Sequence, residues 1–111
     1  FYPELNSVLA KQEFMSKEEL GWLQEQSVVG DIALRFFDKE GKECKTEIAD
    51  RMIAIDFEQF KKIDTKITIP SGGYKAHTVL SALKGKLIDV LIIDYQLGQR
   101  IMELYRAETA E

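Results

Sequence analysis

The chain has 111 residues, 45% hydrophobic and 31% charged, a balance that supports one modest buried core and excludes disordered, collagen-like and low-complexity sequence. Fifteen basic and nineteen acidic residues give a formal net charge of -4 with the two signs interspersed, so the surface as a whole is not built to neutralise nucleic-acid phosphates. No apolar run approaches the ~20 residues that span a bilayer, no signal peptide is visible, and the single Cys44 can form neither an internal disulfide nor a cysteine-rich metal site; the cytoplasm is the expected compartment.

The chain opens Phe1-Tyr2-Pro3 without an initiator Met, and reads as a fragment of a longer protein. Leu5, Val8 and Leu9 follow Pro3 at helical spacing. Ser16-Lys17-Glu18-Glu19 is a capping box, and Leu20 and Leu23 supply the apolar stripe of a helix from Ser16 to about Gln26. Val28 to Asp38 reads as one strand, with Ile32, Leu34 and Phe36 on one face and Asp31, Ala33, Arg35 and Phe37 on the other. Asp38 to Gly41 is a turn, after which Lys42 to Glu47 returns as a charged edge partner. Met52 to Ile55 is a short apolar run, and Asp56 caps a helix that turns Phe57 and Phe60 inward.

From Lys66 the pattern changes. Lys66 to Ile69 is a β-branched strand broken by Pro70-Ser71-Gly72-Gly73. Ala76, Val79, Leu80 and Leu83 then mark an amphipathic helix, with Gly85 where a helix end favours glycine. Leu87 to Ile93, apolar except for Asp89, predicts a buried parallel strand, and Asp94 caps a last helix carrying Leu97, Ile101, Leu104 and Tyr105. Strand, glycine loop, helix, strand, helix is a βαβα unit. The predicted class is α/β, a three-layer Rossmann-like and partly parallel sheet with some antiparallel hairpin content.

Ligands of open α/β sheets bind beyond the carboxyl ends of the strands. Ser71-Gly72-Gly73-Tyr74-Lys75 lies there: two glycines admit a close approach, the amides opening the next helix favour an anion, Ser71 offers a hydroxyl and Lys75 a charge. The set suits a phosphate; the plainer reading is a strand-to-helix turn with Lys75 in water. Asp31, away from the Ile32 face, can accept from sugar hydroxyls or simply be a loop acid paired with Arg35. His77, the lone histidine, reads as exposed, Cys44 has no partners for a nucleophile, and no Ser-His-Asp set, catalytic carboxylate pair or metal constellation assembles.

The stretches VVGDIALRFFDKEG (Val28 to Gly41), DRMIAI (Asp50 to Ile55) and IPSGGYKAHTVLSALKGKLIDVLIID (Ile69 to Asp94) together resemble the effector-binding domain of SorC-type, DeoR-related sugar-responsive bacterial transcriptional regulators. The resemblance covers the C-terminal half of that domain. It implies the fold of sugar-phosphate isomerases and deaminases, a non-enzymatic role, no cofactor, and a phosphorylated sugar as effector. It also implies DNA contact through a helix-turn-helix module outside this chain, and a homo-oligomer, dimer or tetramer, whose state and DNA affinity follow the ligand. Carried over by position, Lys75 matches the lysine that contacts the effector phosphate and Asp31 the acid that binds its hydroxyls. Ala33, two residues further along the same strand face, lies close to the ligand, and Ser71, Gly72 and Gly73 form the loop. The family often has Ala-Gly-Gly where this chain has Pro70-Ser71-Gly72-Gly73, which leaves the exact backbone donors open while retaining Lys75. An isomerase- or deaminase-like enzyme and a purely structural oligomerisation domain are the competing readings; the first needs a second acid or a usable histidine facing the sugar.

Overall fold

The computed structural model describes residues 16–110, so the helical spacing after Pro3 lies outside the described residues. Helix α1, Lys17–Glu25, starts where the capping box puts it: the Ser16 hydroxyl accepts from the Glu19 N–H at 3.1 Å and the Ser16 N–H donates to the Glu19 carboxylate at 3.2 Å. It ends in a Schellman turn, with Ser27 at a φ of 63° and the Val28 N–H donating to the Leu23 carbonyl. Val28 and Leu23 both enter one core cluster with Leu20, Phe36 and Ile48.

The single strand expected from Val28 to Asp38 is a tight hairpin instead. Strands β1, Gly30–Ile32, and β2, Arg35–Phe37, pair antiparallel with Ile32 opposite Arg35. The two-residue turn is Ala33-Leu34, at φ of 50° and 66°. Such turns usually carry Asn-Gly, so an apolar pair inside an alternating run hides the reversal from sequence reasoning. The surroundings hold it: Leu34 packs on the first cluster, and the Arg35 guanidinium donates to the carbonyls of Ala49, Ala54 and Ile55 at 3.1, 3.0 and 2.8 Å. Phe36 and Phe37, each 1% exposed, enter different clusters, so β2 separates two cores.

The turn at Asp38 forms as expected, with Gly41 at a φ of 77° and the Asp38 carboxylate accepting from the Glu40 and Lys42 N–H groups. The return segment from Lys42 to Glu47 forms no named strand: it contributes a bridge between Phe37 and Glu43, a bond from the Cys44 N–H to the Phe36 carbonyl and one from the Asp38 N–H to the Lys42 carbonyl. Thr46 then caps α2, Glu47–Asp50, and Asp56 caps α3, Phe57–Lys61, which buries Phe57. Of the Met52 to Ile55 run, Met52 packs on the first cluster while Ile53 is fully exposed, and the segment is held by its Ala54 and Ile55 carbonyls on Arg35.

Strand β3, Ile67–Thr68, pairs parallel with β4, Val90–Leu91. Between them a 3-10 turn, Gly73–Lys75, leads into α4, Ala76–Lys84. Helix α5, Tyr95–Thr109, packs on α4 through Leu97 and Ile101 against Ala76, Val79 and Leu80. Asp89, which interrupts the apolar run, pins the strand starts: one carboxylate oxygen takes the Lys66 N–H at 2.8 Å and its buried ammonium at 3.0 Å. Gly85 is glycine for packing, since a Cβ there would meet the Gly41 backbone at 2.5 Å, and the left-handed residue is Lys86.

Two expectations change here. Leu87 to Ile93 is not a continuous buried strand; Leu87 is buried, but Val90 and Ile92 are 41% and 51% exposed. Nor do the described residues form a three-layer sheet: the strands make two separate two-stranded sheets. The reason is the same in both cases. Parallel strands read as continuous apolar runs when both faces are covered, and α4 and α5 cover only one.

Candidate functional site

The loop beyond β3 and the segment beyond β4 lie side by side, because Thr68 pairs with Leu91 and both chains then leave the sheet in the same direction. Gly72 has a φ of 98°, which favours glycine, and a Cβ on it would also push against the exposed Tyr74 ring at 2.6 Å. Asp94 joins the two segments. Its Oδ1 accepts from the Leu97 N–H at 2.8 Å, the cap of α5, and its Oδ2 accepts from the Gly72 N–H at 3.0 Å. These bonds, Leu97 first and Gly72 second, hold its carboxyl below the usual aspartate range.

Gly72 is therefore not a free donor. The free amides are those of Gly73 and Tyr74, which meet no acceptor among the described residues. The Lys75 Nζ lies 5.8 Å from the centroid of the Tyr74 ring, within cation–π range, and no carboxylate among the described residues is at ion-pair distance. Ser71 is exposed at the rim.

Asp31 sits on β1 opposite Phe36, half-buried, and burial pushes its carboxyl above the usual range. It is brought towards the loop indirectly: a Cβ on Gly30 would meet the Thr78 side chain at 2.3 Å, and the Thr78 hydroxyl donates to the Val29 carbonyl at 2.8 Å. Asp31 is one residue from that contact and Lys75 three. Ala33 does not follow Asp31 on a strand face; it is an exposed residue of the hairpin turn, because the chain reverses there. His77 is exposed, and burial, with Asp38 and Glu43 nearby, pushes the Cys44 thiol up, away from nucleophilic character. Among the described residues no His, Cys, Asp and Glu group could hold a metal, and no helix is long and apolar enough to cross a membrane.

Sequence reasoning assigned Asp94 to helix capping and left its second oxygen unused, and it passed over Tyr74. The signal for Asp94 was its place one residue past the last apolar position of the second parallel strand. Chemically, the site offers one unneutralised cation, two free amides and a backbone concavity, features that hold an anion.

The family described as "Putative sugar-binding domain" matches residues 3–103. The deoxyribonucleoside regulator of Bacillus subtilis (strain 168) is 32% identical over 96 residues, which take in 86% of this chain and 30% of that protein. The sorbitol operon regulator of Klebsiella pneumoniae is 27% identical over 90 residues, 81% of this chain and 29% of that one. A DeoR family transcriptional regulator from Listeria monocytogenes shares the fold with a TM-score of 0.81 and 34% identity, over 86% of this chain and 39% of that one. The chain thus spans less than a third of the length of these two curated relatives. Matched by the family over nearly all of its residues, the chain belongs to the sugar-binding domains of SorC/DeoR-type transcriptional regulators.

Proposed function

We propose that this chain is the C-terminal portion of an effector-binding domain that takes a phosphorylated sugar and, without turning it over, couples its binding to oligomer state and DNA affinity. The observation that carries the reading is Lys75: among the described residues its ammonium lies over an aromatic ring and pairs with no carboxylate, beside the amides of Gly73 and Tyr74, which meet no acceptor there. The phosphate rests on these three groups with Ser71 at the rim, and Asp31 accepts from the sugar hydroxyls. Two relatives are named for a deoxyribonucleoside and for sorbitol, both hydroxyl-bearing, which supports a sugar-like ligand; the phosphate is read from Lys75 and the loop amides. DNA contact belongs to a helix-turn-helix module outside these residues, and the protein works in the cytoplasm. A ligand that binds one subunit arrangement better than another shifts the population, and DNA affinity follows by linkage.

In this reading the three-layer sheet is completed by other parts of the polypeptide. Ile67 and Val90, paired across β3 and β4, and Ile69 and Ile92 just beyond the strand ends are 59%, 41%, 71% and 51% exposed, a face that parallel sheets bury.

The test is thermal unfolding of this chain and of the longer protein against pentose and hexose phosphates and their free sugars. A ligand at 100 times its Kd stabilises by about 2.7 kcal/mol. A shift with a phosphosugar, absent with the free sugar and lost in Lys75→Ala, is the expected result. No shift in the longer protein with any phosphosugar overturns the reading in favour of a structural oligomerisation domain, and conversion of the sugar overturns it in favour of an enzyme.

A further inference from the structure

The Asp94 carboxylate serves two donors from two elements: the Gly72 N–H in the glycine loop and the Leu97 N–H in the first turn of α5. A cap needs only one of these oxygens. The second does something a cap does not require, because it ties the loop after β3 to the helix after β4. It also decides which amides remain for a ligand, since it occupies Gly72 and leaves those of Gly73 and Tyr74.

A carboxylate beside an anion site is electrostatically unfavourable for the anion. Its presence there therefore has to be weighed against what it does to the loop. Gly72 has left-handed backbone and no side chain to hold it; its carbonyl accepts from the Lys75 N–H within the turn, and its N–H bond to Asp94 is the hydrogen bond that ties it to the start of α5. Without that bond the loop samples other conformations, and a ligand that needs this one binds more weakly by the fraction lost.

We infer that Asp94 is a positioning residue for the ligand site, using one carboxylate oxygen to fix the Gly72 loop and the other to cap α5, so that the loop and the terminal helix move together. The inference rests on the proposed ligand reading and deepens it: binding at Gly73, Tyr74 and Lys75 is transmitted to α5 through Asp94.

Asp94→Asn separates the two duties. Asparagine caps as well as aspartate, so its single carbonyl oxygen keeps the Leu97 bond while its NH2 group opposes the Gly72 N–H. The sign of the binding change is diagnostic. Removing a negative charge tightens anion binding if charge alone matters, and loosening the loop weakens it. The experiment measures amide hydrogen exchange at Gly72 and Leu97, together with the affinity of wild type and Asp94→Asn for inorganic phosphate and for the phosphosugar giving the largest thermal shift. The expected result is faster exchange at Gly72, unchanged exchange at Leu97, and affinity lower by about tenfold, as for a loop competent roughly one tenth of the time. Equal Gly72 exchange in the two proteins overturns the inference, as does unchanged or tighter binding. If wild type binds neither probe, the ligand reading fails while the Gly72 exchange comparison still decides the tether. Asp94→Ser, a second capping residue whose hydroxyl cannot span both donors, provides the same comparison if the Asn variant does not fold.

Discussion

The hairpin half of the molecule, β1 and β2 with α1 to α3, and the parallel half, β3 and β4 with α4 and α5, solve the same problem differently. In the first, a two-residue turn pairs the strands at once, Phe36 and Phe37 are each 1% exposed, and Arg35 gathers three carbonyls of the following loop. In the second, two short strands pair across an intervening helix and leave four apolar side chains in water on one face. Antiparallel pairs find their partners locally, whereas parallel pairs need cover on both faces. The half with the exposed apolar face carries the glycine loop and Lys75; one carboxylate ties that loop to α5, where the hairpin is held by the packing of Leu34 and by the Arg35 guanidinium.

The largest effects are expected in the hairpin. Phe36→Ala and Phe37→Ala should each cost about 3–5 kcal/mol in urea unfolding, while Ile69→Ala and Ile92→Ala should stay within about 0.5 kcal/mol in this chain. Equal costs in the two sets would break the comparison. Gly41→Ala comes next: it combines a φ of 77° with a Cβ 2.4 Å from the Gly85 Cα, and a loss of about 2–3 kcal/mol is expected, read from the same transitions. A smaller loss would show that the Gly41–Gly85 contact between the halves is loose.

Acid sharpens the comparison. The Lys66 N–H and ammonium hold Asp89 below the usual aspartate range, and N–H bonds do the same for Asp94. Groups with lowered folded values stabilise above their unfolded values and lose that contribution as pH falls through the folded ones. Asp31 has the opposite sign: its raised value favours the fold below the unfolded value and loses that as pH rises through the folded one. Glu19, lowered by its bond from the Ser16 N–H and by Arg51, adds an acid-sensitive cap to α1, so amide exchange across an acid titration should show the β3 and β4 ends and the α1 cap loosening while β1 at Asp31 does not. The smallest effect is Asp31→Asn, which should raise the thermal midpoint slightly at neutral pH and flatten its pH dependence while weakening sugar binding; a lowered midpoint would contradict the burial argument.

What the sequence made legible was local. The caps at Ser16, Asp56 and Asp94 and the α4 stripe all depend on neighbours within four residues, and all form. Lys75 and its glycine loop were equally visible. The hairpin turn was hidden because Ala33 and Leu34 are held left-handed by contacts elsewhere in the chain. The length of β4 depended on cover for its second face, and the reason for Gly85 lay in a residue 44 positions away, Gly41. The site shows the same division: Asp94 was readable as a cap, but its bond to Gly72 spans 22 residues.

The central claim is that Lys75 and the amides of Gly73 and Tyr74, with Gly72 withheld by Asp94, receive the phosphate of a sugar. Amide spectra of the ¹⁵N-labelled longer protein, titrated with a phosphosugar and with its free sugar, test it directly. The account predicts large shifts at Gly73 and Tyr74 with the phosphosugar only, a smaller one at Gly72, and an affinity about 10–100-fold lower in Lys75→Ala, as for a lost charged hydrogen bond. Shifts with the free sugar alone, or a Lys75→Ala protein that binds the phosphosugar unchanged, would contradict it.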